Sequence, residues 1–433
     1  MSNIVKESIS IVWLRRDLRI NDNMALNKAI QSGHKVAILF IFDDDIIDHL
    51  EKDDPRISFI YKQLRLINAS LNANNSSLIC KKGKPLEIWK GLLNEYNIVS
   101  AFVNRDYEPY AIKRDKEIFG LLKSNGISLI GTKDQVVFEK LEIAKNDGKA
   151  YTVYTPYKNK WLSIYKGVQL YTEPLTKQNL IQRQNTLPEL KEIGFVESSI
   201  KVPNYNLSKV DNYSQYRDYP ALEHTSRLSV YLRFGTVSIR EIIKSIEGKS
   251  EHFLNELIWR EFYMQILYNF PYVVTENFRA KYNHIPWRNN DKDFDKWCKG
   301  LTGYPIVDAG MRELNKTGFM HNRVRMITAS FLCKHLLIDW RWGEAYFASK
   351  LLDYELASNN GGWQWASGTG CDAAPYFRVF NPTTQQEKFD KKGDYIKKWI
   401  PELNSSDYPS PMVDHKFARK RAIETYKKAL ETV

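Results

Sequence analysis

The first third of the chain alternates between short apolar runs and longer segments with helical periodicity. Apolar runs of strand length occupy residues 8–14, 35–42, 77–80, 98–104 and 128–130. Amphipathic helices are predicted between them at residues 23–32, 55–73, 85–96 and 109–125. Strands that alternate with helices in this way indicate a parallel sheet covered on both faces. The pattern therefore predicts an α/β domain over residues 1–133.

The alternation stops at residue 134. Residues 134–210 are rich in Asn, Lys, Gln and Tyr and contain Pro174, Pro188 and Pro203, which predicts a long connector. Beyond it the apolar positions recur with a helical period rather than a strand period. Helices are predicted at residues 241–246, 253–269, 305–316, 325–337, 343–352 and 414–430. We therefore expect an all-α domain over residues 211–433.

Composition adds a charge signal to this picture. The 433 residues carry a formal net charge of +12. Clustered Lys and Arg release counterions from a phosphate backbone, so the charge favours an anionic polymer as partner; a solvated basic surface is the alternative. The chain is also 13% aromatic, which suits base stacking, flavin packing or both.

Four cysteines are scattered along the chain without a CxxC pair or paired histidines, at Cys80, Cys298, Cys333 and Cys371. This spacing argues against a zinc site and a disulfide framework, so no metal is expected. The longest apolar stretch, residues 36–42, is too short to span a bilayer, and the first ten residues lack a targeting pattern. We therefore expect a cytoplasmic protein without membrane contact.

The stretch 351–390, LLDYELASNNGGWQWASGTGCDAAPYFRVFNPTTQQEKFD, is the densest in chemistry-bearing residues. It mixes acids, paired asparagines and glycines, and tryptophans within a few helical turns. A packed helical core with a Gly-Gly turn is one interpretation. That core would bury several polar groups among aromatic rings with no partner, so a ligand site is favoured.

Residues 359–390 of this stretch resemble the flavin-binding signature of the DNA photolyase/cryptochrome family. Four more segments match in the family's order: WLRRDLRINDN at 13–23, TSRLS at 225–229, LNELIWREFY at 254–263, and TGYPIVDAGMRELNKTGFMHNRVRMITASFL at 302–332. The resemblance covers nearly the whole chain and is greatest to class I cyclobutane pyrimidine dimer photolyases. It implies a Rossmann-like parallel-sheet α/β domain followed by an all-α FAD-binding domain.

The resemblance implies FAD as cofactor, with its phosphates at TSRLS. From the residues alone, Thr225 or Ser226 could instead cap the next helix. It also implies an Arg325–Asp353 pair beside the flavin, and Asn359 facing flavin N5. Phe253 and Phe319 stand where the family often has Trp, and Glu355 stands where it usually has Asp. The implied cofactor-binding residues are Tyr213, Thr225, Ser226, Arg227, Leu228, Ser229, Phe253, Glu256, Arg260, Asn322, Arg325, Asp353, Tyr354, Glu355 and Asn359.

Damaged DNA is the implied partner, and the implied activity is light-dependent repair of cyclobutane pyrimidine dimers by electron transfer from photoexcited reduced FAD. The implied catalytic residues are Glu256, Asn322, Met326, Trp259, Trp365 and Asn359, and the implied DNA-binding residues are Arg217, Trp259, Arg323 and Trp365. Glu256 and Arg260 lie one helical turn apart, so an exposed ion pair is the alternative for them. Asn322 after His321 favours the cyclobutane dimer over the (6-4) photoproduct.

Three tryptophans match the family's electron-transfer relay, with Trp363 nearest the flavin, then Trp340, and Trp297 at the surface. Each alone is equally a good core residue. For a second, light-harvesting chromophore, Tyr110 and Ala111 stand where folate-type enzymes have an Asn-Glu pair. A folate, a flavin, a deazaflavin or no antenna therefore stay open.

Three other functions remain as alternatives: a cryptochrome-type blue-light photoreceptor, a (6-4) photolyase, and a basic flavoprotein dehydrogenase. Glu256, Asn322 and Asn359 argue against the photoreceptor. The chain has neither GxGxxG nor GxxxxGK[ST], so no pyridine-nucleotide site supports a dehydrogenase. A monomer is expected.

Overall fold

The computed structural model describes residues 7–431. All five predicted strands form, as β1 (Ser8–Leu14), β2 (Lys35–Asp43), β3 (Ile79–Gly83), β4 (Asn97–Asn104) and β5 (Ser128–Thr132). They make one parallel sheet in the order β3-β2-β1-β4-β5. The predicted parallel α/β architecture is therefore confirmed. Because the order reverses between β1 and β4, the sheet's topological switch point lies at the carboxyl ends of these two strands.

Eighteen α-helices lie within residues 7–431. The first nine are α1 (Met24–Gln31), α2 (Asp44–Ile47), α3 (Pro55–Asn72), α4 (Pro85–Glu95), α5 (Pro109–Ser124), α6 (Tyr154–Ile164), α7 (Tyr213–Tyr216), α8 (Ser229–Arg233) and α9 (Ile239–Ile246). The remaining nine are α10 (Glu251–Asn269), α11 (Asp291–Lys299), α12 (Pro305–Thr317), α13 (Asn322–Ser330), α14 (Trp340–Lys350), α15 (Leu356–Ser367), α16 (Pro382–Phe389), α17 (Asp394–Trp399) and α18 (His415–Glu431).

Local sequence explains where several of these helices begin. The side chains of Asn23 and Asp54 accept hydrogen bonds from backbone N–H groups at the starts of α1 and α3. Pro occupies the first turn of α3, α4 and α5, where its missing N–H has no partner to lose. These signals are local, so the sequence predicted these starts to within two residues.

The described chain divides into two compact units. The first contains residues 7–139, 165–204 and 228–247, and the second contains residues 140–164, 205–227 and 248–431. The expected boundaries, at 133/134 and 210/211, differ from this division. The segment expected to be a connector is shared between the units, and α8 and α9 belong to the sheet-containing unit.

Specific contacts explain how the expected connector is shared. Val36 of β2 exchanges two backbone hydrogen bonds with residues 179–181, so this stretch joins the first unit. In the second unit, Trp161 Nε1 and the Tyr157 hydroxyl donate to the buried carboxylate of Glu261 at 2.6 and 3.2 Å. Helix α6 is therefore fastened to α10 by polar contacts that periodicity does not reveal.

All helices and strands named for the second unit within its described residues are helices, as expected. Its main core is built from α11 to α15 and α17, and contains Trp297, Trp340 and Trp363. The predicted helix at 325–337 is in fact α13 followed by a π-helical segment, Phe331–His335. The wider turn brings Lys334 inside, where it is 1% exposed. A period of 3.6 does not anticipate this irregularity.

Candidate functional site

The TSRLS motif presents a partly buried arginine in a strained conformation. Arg227 has φ +56°, the left-handed region that non-glycine residues seldom occupy. Its guanidinium lies 3.5 Å from the centroid of the Phe319 ring, and desolvation lowers its pKa. Among the described residues Arg227 makes no ion pair. A desolvated cation without a carboxylate partner fits an anionic ligand such as a diphosphate.

Leu228, rather than Thr225 or Ser226, occupies the N-cap position of the helix that follows this motif. Helix α8 begins at Ser229, and the Leu228 side chain makes no cap hydrogen bond. Thr225 and Ser226 therefore stay candidates for ligand binding. The motif is also divided, because Leu228 and Ser229 belong to the first unit and the three preceding residues to the second.

The predicted Arg325–Asp353 pair forms. One terminal guanidinium nitrogen of Arg325 donates to both carboxylate oxygens of Asp353, at 2.9 and 3.0 Å. Its Nε donates to the Met320 carbonyl at 2.7 Å, which fixes the guanidinium plane. The Arg325 guanidinium lies 5.9 Å from the same Phe319 ring that Arg227 covers. Phe319 therefore brings two predicted cofactor-binding arginines together.

Glu256 and Arg260 on α10 have different partners from each other. Glu256 accepts a hydrogen bond from Arg217 within an ion pair, and Arg260 donates to Glu355 at 3.2 Å. The Arg217 guanidinium also lies 5.1 Å from the Tyr213 ring. The alternative of an exposed pair along α10 is therefore not what forms. Instead, α10 is joined to the residue that follows α7 and to the residue that precedes α15.

Two further contacts orient predicted cofactor residues. The Asn359 amide donates to Glu344, at 2.8 Å to the carboxylate and 3.1 Å to the backbone carbonyl. Ser358 donates to the buried Glu355 at 2.8 Å. Burial raises the pKa of Glu344. Sequence reasoning missed Glu344, because it lies on α14, and no periodic signal links it to Asn359.

The aromatic residues expected to contact a DNA lesion lie near one pocket. Trp365 lines this pocket together with Tyr263 of α10, Gln364 of α15 and Cys371, which follows α15. Trp259 does not line the pocket itself, but its ring lies 5.5 Å from the ring of Tyr263, which does. Trp259 itself is stacked on Tyr154, with ring centroids 3.6 Å apart and planes 9° apart.

Helix α13 carries the remaining expected lesion and DNA contacts. Asn322 Nδ2 lies 4.0 Å from Met326 Sδ, one turn along the helix. Arg323 donates to Asp218 at 2.7 Å, and its guanidinium lies 4.3 Å from the Phe389 ring centroid. Both expected DNA-binding arginines are thus held by a carboxylate, Arg217 by Glu256 and Arg323 by Asp218.

His321 forms the N-cap of α13. Its Nδ1 accepts the Arg323 backbone N–H at 3.2 Å, which requires an unprotonated Nδ1. Desolvation, above all, lowers the pKa of His321 to about 4. Nearby Asp218 raises that pKa, and Arg227, Arg325 and Arg323 lower it further. A neutral histidine therefore supports the helix that presents Asn322 and Met326.

The expected tryptophan relay is only partly as predicted. The rings of Trp363 and Trp297 lie 6.0 Å apart, and each also packs on Phe347. Trp340 Nε1 donates to Asn277 at 2.8 Å.

The expectation that Trp297 lies at the surface is wrong, because this residue is 0% exposed. It stacks on Phe294 and donates to the Thr328 carbonyl. Trp287 and Trp342 are only partly buried and pack on the same core. Either is therefore a better candidate than Trp297 for the last tryptophan of the relay, which is expected at the surface.

In the first unit, the residues considered for an antenna lie at the start of α5. The Tyr110 hydroxyl donates at 2.7 Å to Asp43, the last residue of β2. Burial and this carboxylate raise the pKa of Tyr110. Ala111 is buried. These contacts do not select among the antenna types left open.

Three general features complete the description of residues 7–431. No group of three or more His, Cys, Asp or Glu side chains within them is arranged to hold a metal ion. All four cysteines are unpaired. None of the helices in this range combines the length and apolar character that crossing a membrane requires.

Comparison with known proteins identifies the family of this chain. The profile described as DNA photolyase matches residues 10–178, and that described as FAD binding domain of DNA photolyase matches residues 253–407. The deoxyribodipyrimidine photo-lyase of Halobacterium salinarum is 36% identical, over 97% of this chain and 99% of that protein.

Two solved structures are also similar. A class III photolyase from Agrobacterium tumefaciens is 32% identical and superimposes with a TM-score of 0.87, covering 100% of this chain and 99% of its own. A Sulfolobus tokodaii photolyase solved with two FAD molecules is 35% identical with a TM-score of 0.84, covering 97% and 99%. The chain therefore belongs to the DNA photolyase family of FAD-binding enzymes.

Proposed function

We propose that this protein repairs cyclobutane pyrimidine dimers in DNA by light-dependent electron transfer from reduced FAD. The observation that carries the proposal is that Tyr263 contacts Trp259 and lines one pocket with Trp365. Two arginines lie on or against the same helix α10, since Arg217 pairs with Glu256 and Arg260 with Glu355. Two flat rings suit a pair of fused bases, and the arginines suit phosphates. Repair of pyrimidine dimers is also the activity named for the curated relatives.

The residues present fit FAD. Arg227 with Thr225 and Ser226 would hold its phosphates, and Arg260, Arg325, Asp353, Tyr354, Glu355 and Asn359 would surround the rest of the cofactor. When bound and photoexcited in its reduced form, FAD supplies a single electron. Glu344 orients the Asn359 amide, and Glu355 holds Arg260, so both side chains are positioned before the cofactor arrives.

The protein's own groups then act on the lesion. Arg217 and Arg323 bind backbone phosphates, for which they exchange their present carboxylate partners. A dimer that is flipped out of the helix lies against Trp259 and Trp365, while Asn322 and Met326 line its edge. Glu256, once released by Arg217, donates a proton or a hydrogen bond to a carbonyl oxygen of the dimer.

The central experiment uses the purified flavin-loaded protein, an oligonucleotide with one thymine cyclobutane dimer, and blue light under reducing conditions. We expect dimer loss in the light and none in the dark. A parallel oligonucleotide with a (6-4) photoproduct should be unchanged. Loss of only the (6-4) lesion, or of neither lesion, contradicts the proposal.

The proposal also covers the finer class, the antenna and the assembly. The class I assignment rests on the sequence resemblance. A flavin antenna is one of the types left open, and the similar Sulfolobus tokodaii structure contains two FAD molecules. The flavin content per chain of the purified protein decides this point, since two flavins are expected with such an antenna and one without. We also propose a cytoplasmic monomer, in keeping with four unpaired cysteines.

A further inference from the structure

Helix α6 supplies an aromatic ring to the candidate lesion site, although it lies far from α10 and α15 in sequence. The Tyr154 ring is stacked face to face on Trp259, with centroids 3.6 Å apart and planes 9° apart. By contrast, the rings of Tyr213 and Phe253 meet edge-on at 5.1 Å. Tyr154 is 7% exposed, so the stack is desolvated on its side.

Tyr154 is itself held at two further points. Its hydroxyl donates at 2.8 Å to the Asn255 carbonyl of α10, one turn before Trp259. Its backbone N–H donates at 2.9 Å to the carboxylate of Asp372, in the loop after α15. The ring is also 5.8 Å from Phe262 in an edge-on arrangement. Tyr154 therefore has little freedom to shift or tilt.

These contacts join the two walls of the candidate lesion site. Trp259 lies on α10, and Asp372 borders the same pocket as Trp365. Tyr154 therefore fixes the plane of the Trp259 ring and also binds the loop next to Trp365. An indole with one face covered by a fixed ring can offer only its edge or its other face to a base.

We propose that Tyr154 is a positioning residue for lesion recognition, which holds Trp259 in the orientation that stacks on a flipped-out dimer. This inference rests on the proposed function. It assigns Tyr154 no contact with the reacting atoms. Without the Tyr154 ring, Trp259 could move between several orientations. Binding a dimer would then have to immobilise the indole, which lowers the affinity.

The test compares three variants for binding of the flavin-loaded protein to dimer-containing and undamaged oligonucleotides. Tyr154→Leu removes the stacked ring, whereas Tyr154→Phe keeps it and loses only the hydroxyl. Tyr151→Leu is the matched control, because Tyr151 packs on Tyr157 at 6.4 Å rather than on Trp259.

For Tyr154→Leu we expect dimer affinity to fall about two- to tenfold, the range that a stacked aromatic pair contributes. Three other quantities should change by less than about twofold, because Tyr154 acts on dimer binding and not on the reacting atoms. They are the affinity for undamaged DNA, the flavin content, and the yield of repair per photon absorbed by the saturated complex. Tyr154→Phe keeps the stacked ring and loses only one of the contacts that hold it, so its dimer affinity should stay within about twofold of wild type on the same scale, and Tyr151→Leu should not reduce dimer affinity.

Three results would overturn the inference. The first is an equal loss of affinity for damaged and undamaged DNA in Tyr154→Leu, and the second is a dimer affinity unchanged from wild type in that variant. Loss of flavin in Tyr154→Leu but not in Tyr151→Leu would also overturn it, because Tyr154 would then support the fold of the cofactor site. The proposed function is tested separately by wild-type protein. If wild type binds dimer-containing and undamaged DNA equally well, the proposed function is wrong, whatever the variants show.

Discussion

At the scale of single residues, the two adjacent glycines of α15 have different environments. A Cβ on Gly361 would lie 2.2 Å from the Tyr263 ring, whereas a Cβ on Gly362 would have no atom within 4 Å. A Gly-Gly turn was one interpretation of the sequence, but both glycines lie inside α15, and another side chain approaches only Gly361 closely. The two positions therefore form a matched pair for substitution.

We expect Gly361→Ala to destabilise the flavin-free protein by about 1–3 kcal/mol, the usual cost of overpacking a core. Gly362→Ala should instead stabilise it by up to about 1 kcal/mol, because alanine is the better helix former. Chemical denaturation of the two flavin-free variants measures both changes. Equal effects at the two positions would contradict the packing seen around Tyr263.

His321 should make the protein sensitive to acid. Its pKa is lowered from 6.5 to about 4, so the unfolded state binds more protons between these values. The free energy of unfolding should therefore fall as pH decreases from 6.5 to 4, by up to about 3 kcal/mol from this residue, since one pKa unit corresponds to about 1.4 kcal/mol.

The control for this effect is His321→Asn, which keeps an N-cap acceptor and cannot titrate. Buried His335, whose pKa is also lowered, stays in both proteins, so the difference between wild type and variant isolates His321. Parallel pH profiles for the two proteins would show that His321 does not carry the acid sensitivity.

At the scale of secondary-structure elements, regular patterns were predictable and irregular ones were not. The five strands and the starts of α1, α3, α4 and α5 could be predicted from periodicity and capping. The π-helical turn at Phe331–His335 could not, since one wide turn leaves the apolar pattern intact. The attachment of α6 to α10 was missed because it depends on Tyr157 and Trp161 meeting Glu261 across 100 or more residues.

The candidate site shows the same limit. Family resemblance supplied Arg325, Asp353, Trp259 and Trp365, and the structure brings the first two together as expected. Glu344 and Tyr154 were missed, because each acts through a neighbour on another helix. Trp297 was assigned to the surface from resemblance, and only its burial between α11, α13 and α14 reveals the error.

The packing of α11 and α14 decides which tryptophans can serve as an electron-transfer relay. Trp340→Phe should strongly slow the blue-light reduction of oxidised flavin, as measured by absorbance under illumination. If a partly exposed tryptophan forms the outer end of the relay, Trp287→Phe or Trp342→Phe should also slow flavin reduction. Trp297→Phe should then have a smaller effect. Equal photoreduction by wild type and Trp340→Phe would remove the relay assignment.

At the scale of the whole molecule, the net charge of +12 should dominate binding to undamaged DNA. Such binding is driven by counterion release and weakens steeply with added salt. Discrimination of damage should instead depend on uncharged rings. The two contributions can be separated by substituting one residue of each kind.

We expect Arg323→Ala to reduce the slope of log affinity against log salt concentration by about one, because one phosphate contact is lost. Trp259→Leu should leave this slope unchanged and lower the preference for dimer-containing DNA. Fluorescence anisotropy titrations at several salt concentrations measure both quantities. A changed slope in Trp259→Leu, or an unchanged one in Arg323→Ala, would contradict this division of roles.

The wide turn at Phe331–His335 constrains chain length as well as side-chain chemistry. Its hydrogen bonds span one residue more than those of an α-helix, and this wider turn directs Lys334 toward the carbonyls of Ser367 and Tyr376. Deleting any one residue there would leave an ordinary helical turn, while rotating α13 by about a quarter of a revolution relative to α14. Homologous segments of this enzyme should therefore accept substitutions here far more readily than a change in residue number.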